Sequence, residues 1–541
     1  MARYAFLLAA IALFIAFLRL GSFTLFDVDE AVFAQASREM LTSGNWITPT
    51  YDGQNRFDKP ILIYWLMAAS YKVFGVNAFA ARFPSAAAAS LLALAIFFFA
   101  FSFLGGSDDY RRGPPGRGKR AFYAALTFVC SIFFLLYSHA AVTDMALTLF
   151  ITLSLFSFYL AAKGRRGYIY GLYFFSALAF LTKGLIGVVF PFGIAFIYML
   201  LAPSGFTERF PDNRARRVAR LWSPGGFLLF LAVGLPWYIA EYMATGDAFI
   251  RDFFLKQHFA RYLHVISGHT GPVYYYVPVL ALGLFPWIAY LPQGVADAFR
   301  RKEGPGLFAL LWLSFVVIFF SFARTKLPDY VLPAVPAAAL LMGSGMSRAC
   351  SIGPRMSKPG RVSNWFAALM ALAMGAGLLL ARGYLLKAGI HAGWLPWAAG
   401  LMFLISVFSI SAAGSGRCLN LPIAFLVICF LAVAVFKAVP AASEYLQGTL
   451  YRYSIYAGEN LPADGVLIGY KINNPSVVFY SGRRIEGAES ESELLADLKG
   501  RKPALIISRT GDAGEVEAAG GPSLKVKLIA SGRNYSLFKK E

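Results

Sequence analysis

Residues 27–60 read DVDEAVFAQASREMLTSGNWITPTYDGQNRFDKP, a charged polar stretch in a chain otherwise built of long apolar runs. It opens with Asp27, Asp29 and Glu30 directly after one apolar run and closes with Asp58, Lys59 and Pro60 just before another. Carboxylates at the edge of a bilayer are costly unless something uses them, so chemistry is expected in this loop. A plainer reading competes with that one. An Asp followed three residues later by Glu is the start signal of a helix. The segment 31–42 has helical spacing, with Val32, Ala36 and Met40 on one face, Arg38 and Glu39 on the other, and Ser43-Gly44 as its stop. Three acidic residues in four positions still exceed what one cap requires.

Outward from this loop, the chain is that of a polytopic membrane protein. Of its 541 residues, 58% are hydrophobic, 16% aromatic and only 15% charged, too apolar for a soluble globule of this length. Apolar windows fall at 4–24, 79–104, 121–138, 143–162, 168–182, 185–202, 225–243, 273–293, 306–323, 329–346, 364–381, 394–412 and 421–439, which predicts about 13 transmembrane helices. The first window lacks a small-residue cleavage site and is read as a helix rather than a signal peptide. The net charge of +21 sits largely in short loops between these windows. That distribution fits the positive-inside rule and anionic lipid head groups, and no concentrated basic domain points to nucleic acid. The basic loops alternate along the chain, which puts the amino terminus in the cytoplasm and the carboxyl terminus outside, in a plasma (inner) membrane. The four cysteines are scattered without CxxC spacing, and suggest neither a disulfide framework nor a thiolate zinc site.

The composition shifts after Val439-Pro440. Residues 1–440 are read as the transmembrane domain, with outer loops 26–78 and 244–272, and 441–541 as a small extracytoplasmic α/β domain. Strand-like runs occur there at 465–469, 476–480, 504–508 and 524–529, with a polar helical stretch at 490–499. No catalytic constellation is visible in it.

Two further outer segments mix charge with aromatics. In RDFFLKQHFARYLHVISGHTGPVYYYVP (251–278), Arg251, Lys256, His258, Arg261, His264 and His269 lie among Phe and Tyr, which an interfacial helix also explains. In ARTKLPDYVLP (323–333), Arg324, Lys326, Asp329 and Tyr330 cluster between two spans. With Asp144 and Lys183 on the same side, the outer leaflet gathers Lys59, Lys183, Arg261, Arg324 and Lys326 near Asp29, Glu30, Asp58 and Asp144. Both signs of charge at head-group depth suit a phosphorylated amphiphile.

In combination, Asp29-Glu30, SREML (37–41), GNW (44–46), FDKP (57–60), LTKG (181–184), QHFARY (257–262), HTGPVYYYVP (269–278) and KLPDYVLP (326–333) resemble the aminoarabinose lipid A transferases and their protein O-mannosyltransferase relatives. The resemblance covers roughly residues 1–345. It implies a C-type glycosyltransferase fold, a polyprenyl-phosphate sugar such as an undecaprenyl-phosphate sugar as donor, and a lipid, protein or glycan acceptor on the extracytoplasmic face. Carried over by motif, Asp29 with Glu30 and Asp144 form the catalytic acids. Lys59 is the cation on the donor phosphate, Arg261 and Tyr330 line the phosphate pocket, and Lys183, Lys326 and His269 join the substrate-binding set. The resemblance certifies no cofactor. It does make Asp58 and His258 candidate ligands of a divalent metal such as zinc. The chain departs from the aminoarabinose branch at Val32-Phe33, where that branch has Arg-Tyr, and at Gln257, where it has glutamate.

The chemistry needs these residue types. Breaking the sugar C1–O bond leaves negative charge on the lipid phosphate, which fixed cations stabilise. A hydroxyl acceptor loses a proton as it attacks, and a carboxylate in reach takes it. A transporter or flippase for a phosphorylated lipid is the rival reading. Against it, the charges lie in outer loops rather than at mid-span, and no pair of broken helices recurs in two halves.

Overall fold

Every apolar window marked in the sequence carries helix in the computed structural model. The structure describes residues 1–104, 114–202, 214–253, 270–301, 304–350, 356–387, 390, 392–499, 502–520 and 526–540. Eight of the described helices are long and apolar enough to cross a membrane, or up to ten if each of two bent pairs counts as one span. The expected number of about 13 includes windows whose helices are shorter than this measure admits. Ala2–Phe17 and Ile186–Leu201 have 16 residues and Ile169–Lys183 has 15, short of the roughly 20 that cross a hydrocarbon core. The window 273–293 is broken: Tyr276–Gly283 and Trp287–Arg300 meet at 109° across Phe285-Pro286, where proline removes a helix donor.

The chain divides into two compact units. One comprises Met1–Leu18, Phe57–Ile63 and Phe83–Phe436. Its core is aromatic: Phe99 stacks on Phe156 at 3.9 Å, and Tyr159, Tyr198, Phe308 and Trp312 pack edge-on or tilted around them. Helices Asp144–Ala162 and Ile169–Lys183 are joined by the Ser154 hydroxyl, which donates to the Leu172 carbonyl at 2.7 Å and meets Ser176 at 3.1 Å. Small polar residues of this kind let helices in lipid approach and hydrogen-bond. Ile169–Lys183 turns at Gly184, whose φ is +73°, into Ile186–Leu201. A Cβ at Gly187 would overlap the Ala179–Phe180 backbone, so this tight hairpin, with Lys183 at its apex, closes only around glycine. A disulfide joins Cys350 to Cys418, contrary to the sequence expectation. The two cysteines are 68 residues apart, and the pairing of helices Lys358–Lys387 and Leu395–Ser415 between them is not visible in their spacing.

The second unit comprises Arg19–Arg56, Tyr64–Arg82 and Lys437–Glu541. The stretch expected as outer loop 26–78 holds helices Asp29–Ser43 and Leu62–Phe74 and a hairpin pairing Thr50–Tyr51 with Gln54–Asn55. Asp52 and Gly53 both have positive φ, the two-residue turn that suits a hairpin's twist. The apolar helix that begins at Asn420 runs unbroken past Pro440 to Asn460. The carboxyl-terminal part is a five-stranded mixed sheet in the order Ile485–Ala488, Val466–Tyr470, Ala504–Arg509, Tyr535–Lys540, Val526–Ser531. The first three strands are parallel and the last two run antiparallel to their neighbours. The run at 476–480, expected as a strand, is instead the helix Pro475–Ser481. Proline at its start and Gly482 in the left-handed conformation after its end decide for helix over the β-propensity of Val477-Val478-Phe479-Tyr480.

Candidate active site

The acidic loop belongs to the second unit, where its three carboxylates divide their tasks. Glu30 faces Arg82, which enters from the first turns of helix Ala78–Phe103. Arg82 Nε donates to Glu30 Oε1 at 2.9 Å and Nη2 to Oε2 at 2.8 Å, a two-pronged ion pair. Its remaining donors reach the carbonyls of Leu20 at 3.1 Å, Phe23 at 3.0 Å and Thr24 at 2.8 Å. All five guanidinium N–H groups are thus used, the ring of Phe23 lies 4.0 Å from the guanidinium carbon, and the side chain is fully buried. Glu30 Oε2 also accepts the Phe26 N–H at 2.9 Å. With both oxygens engaged, Glu30 holds the loop, although the motif resemblance grouped it with the catalytic acids.

Asp27 is equally committed. Its Oδ1 accepts the Ser476 N–H at 2.8 Å, and its Oδ2 accepts the Ser476 hydroxyl at 2.6 Å and the Asn474 amide at 3.0 Å. It therefore does not cap its own helix, and Val28 at the helix start makes no side-chain capping bond. The capping-box reading fails on this point. Asp29 is different: it is exposed on the first turn of helix Asp29–Ser43 and makes no hydrogen bond or ion pair among the described residues. The helix ends at Gly44, φ +72°, as the sequence predicts. Where the aminoarabinose branch has Arg-Tyr, Val32 and Phe33 are buried, and Arg56 lies 5.5 Å over the Phe33 ring while donating to the Tyr64 hydroxyl at 3.3 Å.

A second constellation lies within the first unit. Lys183 Nζ, at the end of its helix, contacts Asp144 Oδ1 at 2.5 Å and Asp329 Oδ2 at 3.3 Å. Asp144 opens helix Asp144–Ala162, and Asp329 opens the 3-10 turn Pro328–Ala334. Tyr330 presents its ring 5.5 Å from the Lys183 ammonium and packs on Phe320 at 4.9 Å. Asp144, Lys183 and Tyr330, chosen separately from the sequence, are thus brought together, and Asp329 completes the group. With both carboxylates ionised the trio carries a net charge of −1. The ammonium is already neutralised, so it suits a hydroxyl or amine better than a phosphate.

Lys326 also has a task in the fold. It donates to the carbonyls of Ala323 at 2.6 Å, Ser321 at 2.9 Å and Phe320 at 3.5 Å, closing the exposed end of helix Gly304–Phe322. Gly271, from the HTGP motif, packs against its stem, so these two sequence motifs do meet. The end of the loop, Asp58-Lys59, is half-buried between Phe57, edge-on to Phe249 at 5.8 Å, and the buried Pro60 and Ile61. Lys59 Nζ donates to the Asp58 carbonyl at 3.2 Å. Arg261, His258 and His269 lie outside the described residues. Among the described residues no three His, Cys, Asp or Glu side chains form a group able to hold a metal.

Arg82 was missed in the sequence, yet a lone arginine inside an apolar run is itself a signal, because such a charge persists only with a partner.

Comparison with known proteins agrees with the motifs. Residues 58–213 match the family model described as dolichyl-phosphate-mannose-protein mannosyltransferase. The undecaprenyl phosphate-α-4-amino-4-deoxy-L-arabinose arabinosyl transferase of Aeromonas hydrophila is 32% identical over 339 residues, 61% of this chain and 58% of that protein. Its counterpart in Pseudomonas aeruginosa LESB58 is 31% identical over 363 residues, 65% of this chain and 62% of that one. The matched region thus spans about six-tenths of these relatives. The crystal structure of ArnT from Cupriavidus metallidurans bound to undecaprenyl phosphate superposes with a TM-score of 0.81 at 21% identity, covering 100% of this chain and 98% of that one. The apo form gives 0.78. This chain has the ArnT fold. The expected fold class, a polytopic α-helical membrane protein with the C-type glycosyltransferase fold, therefore stands, and the likeness in fold extends over the whole chain.

The buried ion pair of this ArnT-like fold generates a prediction. Arg82→Met should cost about 3–5 kcal/mol, because it leaves Glu30 buried and uncompensated. Combining it with Glu30→Met should recover most of that loss, as apolar replacement of both partners of a buried pair does elsewhere. Unfolding midpoints of the detergent-solubilised proteins check this; a double variant no more stable than Arg82→Met contradicts it.

Proposed function

We propose that this protein is an integral membrane glycosyltransferase that moves one sugar from a polyprenyl-phosphate donor, of the undecaprenyl phosphate type, to a lipid A-like, protein or glycan acceptor on the extracytoplasmic face. One observation carries the reading: in a loop where Asp27 and Glu30 are consumed by structure, Asp29 is exposed and makes no hydrogen bond or ion pair among the described residues, on a fold shared with a protein crystallised with undecaprenyl phosphate.

In this mechanism Asp29 takes the proton of a hydroxyl acceptor as it attacks the sugar C1. For an acceptor that is itself a phosphate, already anionic, Asp29 orients groups around the developing oxocarbenium. The electron pair of the C1–O bond leaves with the lipid phosphate, whose charge rises from one toward two. Lys59 and Arg261 are the cations assigned to that charge. Asp144, Asp329 and Lys183, whose trio is net negative, are assigned to hydroxyl or amino groups of the sugar, and Tyr330 and His269 to the walls of the pocket. Asp58 and His258 are the donor pair proposed for a divalent metal such as zinc, which would polarise phosphate oxygens. No step above runs through it.

The experiment is incubation of the purified protein with a polyprenyl-phosphate-linked radiolabelled sugar and acceptor lipid. Release of polyprenyl phosphate with label moved to the acceptor is expected, whereas a transporter or flippase leaves the donor intact. Lys59→Ala should lower turnover by about 100-fold and raise the donor KM, in line with removal of one donor to a developing anion. Unchanged kinetics in that variant would remove Lys59 from the site. Chelator should inhibit the parent if Asp58 and His258 hold a metal; full activity in strong chelator rejects the metal.

The orientation we infer is an amino terminus in the cytoplasm and residues 441–541 outside, as the alternating basic loops require. A phosphatase reporter fused after Tyr445 should be active, and cytoplasmic fluorescence of a reporter at the same point would reverse the topology.

A further inference from the structure

The helix Pro475–Ser481 is only seven residues long, yet three points between residues 25 and 38 fasten to it. Asp27 sits at its amino-terminal end, where it takes the Ser476 N–H, the Ser476 hydroxyl and the Asn474 amide. A carboxylate there is bonded to a donor the helix leaves unsatisfied and lies at the positive end of its dipole. Arg38 sits at the other end, donating to the Phe479 carbonyl at 3.0 Å, and a Cβ on Gly482 would press on its guanidinium. Between them the Tyr480 hydroxyl accepts the Leu25 N–H at 2.7 Å. Opposite charges therefore meet opposite ends of one short helix, and both charges come from the segment that carries Asp29.

The sheet domain supplies a firm mount for this helix. Ser476, Val477, Val478 and Phe479 are buried, and Val477 belongs to a core with Leu467, Leu505, Ile507 and Leu537 from three strands. The helix is thus fixed to the sheet on one side and to Asp27 and Arg38 on the other. Asp29 is two residues beyond Asp27 and nine before Arg38, so its place is bounded by two contacts to the same helix.

We propose that the helix Pro475–Ser481 is a positioning element for transfer: by holding Asp27 through Asn474 and Ser476, the carboxyl-terminal sheet domain sets where the Asp29 carboxylate stands. This gives the sheet domain a part in the reaction. The inference rests on the reading of Asp29 as the group that takes the acceptor proton. A base must stand within hydrogen-bond reach of the proton it removes, and a displacement of about 1 Å is enough to lower a rate by roughly 100-fold. Donor binding is assigned to other residues and is not expected to change.

The test uses the full-length protein and the labelled-donor assay. Asn474→Ala with Ser476→Ala removes two of the three bonds to Asp27 and leaves the backbone N–H of residue 476. The double variant is expected to lose about 10- to 100-fold in kcat, with the donor KM within about twofold of the parent. Ser476→Thr, which keeps the hydroxyl, should keep most of the parent kcat; the double variant loses two bonds to Asp27, so its unfolding midpoint should fall by a few degrees while its donor KM holds. A parent-like kcat in the double variant overturns the proposal. So does a loss of kcat that comes with a raised KM, or that Ser476→Thr shares, because each marks a general disturbance of the fold. Asp29→Asn assayed alongside separates the two levels: if it turns over normally the reading of Asp29 fails, whereas if it is inactive and the double variant is not, only the positioning role fails.

Discussion

A buried arginine that spends all five donors fixes the shape of the acidic loop. Arg82 binds Glu30 with two prongs and gathers the carbonyls of Leu20, Phe23 and Thr24, so the chain leaving the first helix is tied to it at four residues. In a buried setting an unpaired guanidinium or carboxylate costs several kcal/mol, which makes the alternatives to this arrangement expensive. The same logic explains why three acids crowd into four positions. Glu30 anchors the loop to Arg82, Asp27 anchors it to Ser476, and Asp29, lying between them, makes no hydrogen bond or ion pair among the described residues.

The helices were legible in the sequence because hydropathy is a local property and each apolar window carries its own signal. The bends were not, since a window averages over the break at Phe285-Pro286 and says nothing of how many residues helix geometry assigns to each side. The Val477-Val478-Phe479-Tyr480 run misled because its side chains favour strands, while the deciding residues, Pro475 and Gly482, flank it. The site was legible in part. Asp29, Asp144, Lys183 and Tyr330 stand out as polar residues at the ends of apolar runs, and three of these four do meet. What stayed hidden were contacts between distant positions: Arg82 with Glu30 across 52 residues and Asp27 with Ser476 across 449. The contacts of Lys326 stayed hidden for a related reason, because its partners are backbone carbonyls that no residue type announces.

These contacts divide the charges of the chain into two sets. Arg82, Glu30, Asp27, Arg38 and Lys326 satisfy carbonyls, helix ends and one another, and they specify a conformation. Asp29 and the trio of Asp144, Lys183 and Asp329 lie in different compact units and make none of these anchoring contacts among the described residues; they are the groups proposed above for substrate. The proposed transfer would need such a division, since a carboxylate held by two or three strong hydrogen bonds is a poor base, whereas a free carboxylate on a fixed backbone keeps its basicity and loses little freedom on reaction.

The unfolding midpoint of Asp29→Asn tests this division most directly, read against those of Asp27→Asn and Glu30→Gln in the same detergent. A carboxylate that carries no structural load should leave the midpoint at the parent value when its charge is removed, while the other two substitutions lower it by several degrees, the usual response to losing one or more kcal/mol. A fall for Asp29→Asn as large as that for Glu30→Gln would show that Asp29 is one more anchor of the loop, and would contradict the account.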